Sequence, residues 1–173
     1  MNFPQALEAE HSKAQMLRIA HYVGAKQSRF EGLIELLLHG EAKLRRRAAW
    51  AVNHCCDQHP ELLHPHVERL WGNLDREQDA SIQRNILRLF QDYPLPPTLW
   101  GKAATLCFDW LANPQSATAV RAHSISILHQ LTKSEPDLAP ELVLLLEEIL
   151  PTASAGLRSR GRRVLRQLRG RRS

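Results

Sequence analysis

The chain has 173 residues, of which 43% are hydrophobic and 24% charged, the balance of an ordinary globular domain with a core of its own. Aromatics make up only 6%, and the longest aliphatic run, Leu142 to Leu146, falls far short of the ~20 residues that cross a bilayer. Disorder, collagen and a membrane-spanning helix are thereby excluded. An odd count of three cysteines, Cys55, Cys56 and Cys107, argues against a disulfide framework. Met1 to Glu10 shows no basic, apolar leader, so the expectation is a reduced, cytoplasmic protein.

The net charge of +5 is unevenly spread. Residues 157–173 carry eight arginines and no acid, whereas residues 1–156 hold 15 Lys and Arg against 18 Asp and Glu. A basic end of this kind attracts nucleic acid, acidic protein or anionic lipid, or serves as a solvated tail.

Prolines at positions 4, 60, 65, 94, 96, 97, 114, 136, 140 and 151 separate stretches of helix length rich in Leu, Ala, Arg, Glu and Gln. Proline is tolerated at a helix start and breaks its interior. Strand-like alternation is almost absent. The pattern predicts nine helices, near 5–23, 28–39, 42–58, 61–74, 79–92, 98–112, 116–132, 137–150 and 156–169.

Two internal frames repeat along the chain. Phe30, Leu33 and Leu37 correspond to Val67, Leu70 and Leu74, then to Ala104, Cys107 and Leu111, then to Val143, Leu146 and Leu150. In the alternate helices Leu44, Ala48, Val52 and Cys55 correspond to Ile82, Ile86, Phe90 and Tyr93. The frame returns as Val120, Ser124, Leu128 and Leu131, and again as Leu157, Gly161, Leu165 and Leu168. The spacing places each set on one helical face, and the shared period of 37 to 39 residues describes four helical hairpins behind a lone capping helix. The expected organisation is one domain over 1–173, with the cap at 5–23, repeats at about 28–60, 61–97, 98–136 and 137–170, and a basic end at 157–173. Such units bury their apolar faces by stacking on one another.

The second helix of three repeats opens on an apolar–Arg pair, Leu44-Arg45, Val120-Arg121 and Leu157-Arg158, with a small residue four positions after the apolar one; Ile82-Gln83 departs from this. This start and the period near 38 resemble HEAT repeats over about residues 28–170. The resemblance, to the armadillo/HEAT type, implies an all-α fold, a right-handed α–α superhelix of about four hairpins. It also implies that Arg45, Arg121 and Arg158 are scaffold residues pairing with a neighbouring repeat, and that the second helices line a concave face.

Opposite the apolar stripe lie Arg46, Trp50 and Asn53 in the first repeat, Arg84, Arg88 and Gln91 in the second, Ser126, His129 and Lys133 in the third, and Arg163 and Arg166 in the fourth. With helices packed roughly 8–10 Å apart, four of them cover roughly 30 Å, about one turn of duplex DNA or a fair footprint for a protein. Trp50 is either a binding residue, as Trp and Arg often are, or packs against the cap or an adjacent repeat.

His54, Cys55, Cys56, Asp57, His59, His64 and His66 are metal ligands by type, but their spacing fits no zinc motif, and no metal or cofactor is expected. Glycine-rich phosphate loops and hydrolase motifs are absent. Ser154 is expected to cap the last helix; with Arg158 and Arg160 near it an anion could bind there, though an ordinary capped start is preferred. The leading expectation is a non-catalytic module binding a protein with an acidic or extended segment. The alternative is nucleic-acid binding through the concave arginines and the basic end. A minor one is a HEAT-like alkylpurine glycosylase using Asp109 beside Trp110, weakened because both fall on a first helix. Membrane binding is not expected, because Val164, Leu165 and Leu168 are already needed for the core.

Overall fold

The structure, a computed structural model, describes residues 1–170. The last three, including Arg171 and Arg172 of the basic end, lie outside the described residues. Ten α-helices are seen among them: α1 (Phe3–Ala9), α2 (Lys13–Val23), α3 (Gln27–His39), α4 (Ala42–Gln58), α5 (Val67–Leu74), α6 (Ala80–Phe90), α7 (Pro97–Ala112), α8 (Thr118–Leu131), α9 (Leu138–Ile149) and α10 (Ala155–Gly170). Two 3₁₀ segments, Pro60–His66 and Leu150–Thr152, join them, and no strand occurs among the described residues. The fold is therefore all-α.

Two elements differ from expectation. The capping segment is two helices. At the break Ser12 is extended and its hydroxyl accepts from the Gln15 amide at 3.1 Å, so the side chain caps a new helix instead of continuing the old one. Gln15 then ties the two together, its Nε2 donating to the Ala6 carbonyl at 2.6 Å. The helix expected over 61–74 is α-helical only from Val67, because Pro65 lacks an N–H and its ring crowds the carbonyl one turn back. Gly24 ends α2 at φ +52, a conformation that favours glycine.

The chain divides into two compact units, Met1–Leu89 and Phe90–Ser173. In the first, α3 and α2 pack on α4, and α1 rests on α2 and α4. Its core holds Leu7, Met16, Phe30, Leu33, Val52, Leu70 and Trp71. In the second, α7 packs on α8, α8 on α10, and α9 against both α8 and α10, around Cys107, Leu111, Val120, Leu128, Leu142, Leu146 and Leu157. Every position of the two repeat frames is buried except Leu44, Tyr93 and Val143, which are half-buried. Period alone thus located the apolar seam of each hairpin, because burial stabilises by about 25 cal/mol per Å² and selects one face.

Candidate interaction surface

In the first unit the core stripe of α4, Ala48, Val52 and Cys55, turns Arg46 outward and leaves Trp50 half-buried. Arg46 Nε donates to Asp79 Oδ2 at 2.5 Å. Asp79 also caps α6, accepting from the Ser81 and Ile82 amides at 2.9 and 3.2 Å. Burial pushes the Asp79 carboxyl up, but the Arg46 hydrogen bond and these two amides outweigh it and hold it below the usual carboxylate range. Trp50 stands edge-on to His11, ring centres 5.3 Å apart, and tilted against His54 at 5.9 Å. Of the two readings of Trp50, packing beside the N-terminal helices is the one these contacts describe.

Asn53 corrects the expectation of an exposed polar residue, being only 2% exposed. Its Nδ2 donates to the Ala49 and Asn85 carbonyls at 2.9 and 3.0 Å, while its Oδ1 accepts from Arg88 Nη1 at 2.7 Å. Arg88 completes the arrangement with Asp57, Nη2 to Oδ1 at 3.0 Å and to Oδ2 at 3.2 Å. The buried amide is satisfied as a buried polar group must be, and the arginine is ion-paired where it stands. Arg84 keeps only a 3.5 Å contact with Ser81 Oγ and is exposed.

The scaffold arginines behave differently from one another. Arg45 donates from Nε to the Leu37 carbonyl at 2.9 Å and pairs through Nη2 with the buried Glu77 of the following repeat. Arg121 and Arg158 reach back only to carbonyls of their own hairpins, Leu111 at 3.0 Å and Ala153 at 2.7 Å. Ser154 Oγ accepts from the Leu157 amide at 3.5 Å, a long cap for α10.

In the second unit Gln91, Ser126, His129, Lys133 and Arg163 come together around one cleft of about 270 Å³. Asp92, Gln130, Val164 and Gln167 complete its wall. One side is fixed by the half-buried Arg160, whose Nη1 donates to the Ala122 carbonyl at 3.1 Å and to Ser126 Oγ at 3.2 Å. Gln91 Oε1 lies 3.0 Å from His123 Nδ1. Burial lowers the Arg160 pKa, as does the neighbouring Arg163, while Asp92 opposes both. Lys133 and Arg163 are exposed at the cleft. Gln130 Oε1 is buried there without a hydrogen-bond partner. The expected residue Arg166 lies outside this cleft, on another part of α10.

Sequence reasoning missed Asp92, Gln130 and Gln167. They occupy equivalent places in the second frame, 38 and 37 residues apart and each two positions after its apolar member, Phe90, Leu128 and Leu165. Reading the position two after each third member of the frame would have found them.

The His and Cys cluster disperses. Cys55 is buried, where burial pushes its thiol up to about 12. His54 stacks near Trp50, His59 Nδ1 lies 3.2 Å from Glu61, and His66 is buried beside Phe30 with Gln27 at 2.6 Å. Among the described residues no three His, Cys, Asp or Glu side chains are grouped as metal ligands would be. Asp109 and Trp110 lie on α7, the first helix of its hairpin. No helix among the described residues is long and apolar enough to cross a membrane.

A family model described as a HEAT repeat domain matches residues 3–168. No curated protein and no solved structure matches the chain.

Proposed function

We propose, because the chain belongs to the HEAT repeat family, that it is a non-catalytic interaction module which holds a partner protein on the second helices of its repeats. The repeats are taken as about 28–60, 61–97, 98–136 and 137–170, in a cytoplasmic protein whose cysteines are all free.

The observation that carries this reading is the cleft of the second unit. Its glutamines can each donate and accept, which suits the main chain of an extended segment. Lys133 and Arg163 flank the cleft and favour an acidic side chain, with Asp92 rejecting one at its own position. In the first unit the exposed Arg84 remains to contribute. Asn53 and Arg88 serve the scaffold, and Arg46 is already paired with Asp79.

The test is quantitative capture from native extract with three proteins: wild type, Lys133→Glu/Arg163→Glu, and Lys26→Glu/Lys43→Glu as a charge-matched control on exposed sites. A partner lost only with the first variant supports the reading. Identical recoveries from all three would refute it.

A further inference from the structure

Helix α10 carries six arginines between residues 155 and 170 and no acid. Its buried stripe, Leu157, Gly161, Val164, Leu165 and Leu168, fixes its orientation. At 3.6 residues per turn, Arg158, Ser159, Arg162 and Arg166 then share one face. These four, with Ala155, line a shallow depression of about 390 Å³.

Among the described residues the charges of this face are largely uncompensated. Arg158 is anchored by the Ala153 carbonyl. Arg169, at the edge, is paired with Glu147, which is the one carboxylate among the residues lining the adjoining depression. Arg162 and Arg166 are exposed and make no ion pair among the described residues. Cations four residues apart on a helix repel each other, and Arg158 stands in the first turn, where the helix dipole also disfavours positive charge. Such an arrangement costs stability in the isolated chain and is relieved by a ligand rich in negative charge.

We propose that this face of α10 is a docking surface for the phosphate backbone of a nucleic acid, bound without sequence discrimination. Three features favour phosphate over an acidic protein. The planar guanidinium donates to two phosphate oxygens in a bidentate fork, and every cation here is arginine. No aromatic or large aliphatic side chain lies among the four to anchor a protein interface. Steps of four residues separate the arginines by about 6 Å along the axis, a spacing at which each meets its own phosphate on a strand carrying one charge per roughly 3.4 Å. Neither Lys133 nor Arg163 is part of this face, so the inference stands independently of the protein-binding cleft.

The experiment is fluorescence anisotropy of labelled duplex DNA and labelled single-stranded RNA with the full chain, over a series of salt concentrations. Wild type is compared with Arg162→Gln/Arg166→Gln and with Lys43→Gln/Arg76→Gln, which removes the same charge from exposed sites elsewhere. Loss of two phosphate contacts lowers the log–log salt slope by about 1.8 and weakens duplex binding at about 100 mM salt roughly 60-fold. The control should leave the slope unchanged. Circular dichroism checks that each variant keeps its helices. Absence of binding at about 100 mM salt, or equal weakening by the control, overturns the proposal. So does competition by poly-glutamate as strong as that of nucleic acid at equal charge, which would assign the face to an acidic protein.

Discussion

Replacing Arg45 with methionine tests the pairing that joins the first repeat to the second. The Glu77 side chain is only 4% exposed and that of Arg45 22%. Glu77 also accepts from Asn73 Nδ2 at 3.2 Å and from the Asp79 amide at 3.0 Å. Arg45→Met would leave the carboxylate buried with two neutral donors and no counter-charge, and would strip the Leu37 carbonyl of its donor. Removing one partner of a buried pair costs 3–5 kcal/mol, and the partial exposure of Arg45 places this case near the lower end, about 3 kcal/mol. For a chain of this size that is a fall in Tm of roughly 6–12 °C. Glu77→Leu should cost less, about 1–2 kcal/mol, because the guanidinium it abandons reaches water. In Arg45→Met/Glu77→Leu no stranded charge remains, so the double variant should recover most of the loss. Urea unfolding followed by circular dichroism gives all three values. A cost below about 1 kcal/mol for Arg45→Met, or additive losses in the double variant, would refute the idea that the buried Glu77 side chain is held in place by Arg45.

Two further outcomes are expected. Burial lowers the pKa of His54 and of His66, against the opposing pull of Asp57 on the first and of Glu31 and Glu35 on the second; Arg88 and Lys13, and Arg69, act with burial. The unfolded chain therefore binds protons that the folded one does not, so stability is full above the usual imidazole range and declines as pH falls through it. His54→Gln/His66→Gln should flatten the unfolding midpoint between pH ~7 and ~5, and an unchanged slope would dismiss the assignment. A Cβ at Gly161 would come 2.5 Å from Leu150 Cδ2, whereas one at Gly72 would meet nothing within 4 Å. Gly161→Val should cost about 1–3 kcal/mol through overpacking, and Gly72→Ala should gain about 0.5–1 kcal/mol from helix propensity and chain entropy. Thermal melts showing the same sign for both would contradict the packing described for α10.

The helices themselves were legible because their signals are local. Prolines and apolar spacing placed α3, α4, α7 and α10 to within a residue, and the two frames picked out positions that the structure buries. The exceptions also have local causes, a serine that caps and a proline without an N–H, whose outcomes depend on which competing hydrogen bond wins. The candidate surface was less legible. Helical spacing put Arg46, Asn53 and Arg88 opposite the core stripe, but that describes one helix in isolation. Their partners lie 31 to 35 residues away, beyond any rule of neighbouring turns.

The sequence by itself determined an all-helical chain of repeating hairpins, the face each helix buries and the concentration of arginine in α10, since these follow from hydrophobic periodicity and composition. Only the tertiary structure decided which cations are spoken for. Arg45, Arg46 and Arg88 meet carboxylates held by other elements, while Arg162 and Arg166 meet none among the described residues. Charge counts along a chain, but ion pairing depends on distance in space, and packing sets that distance.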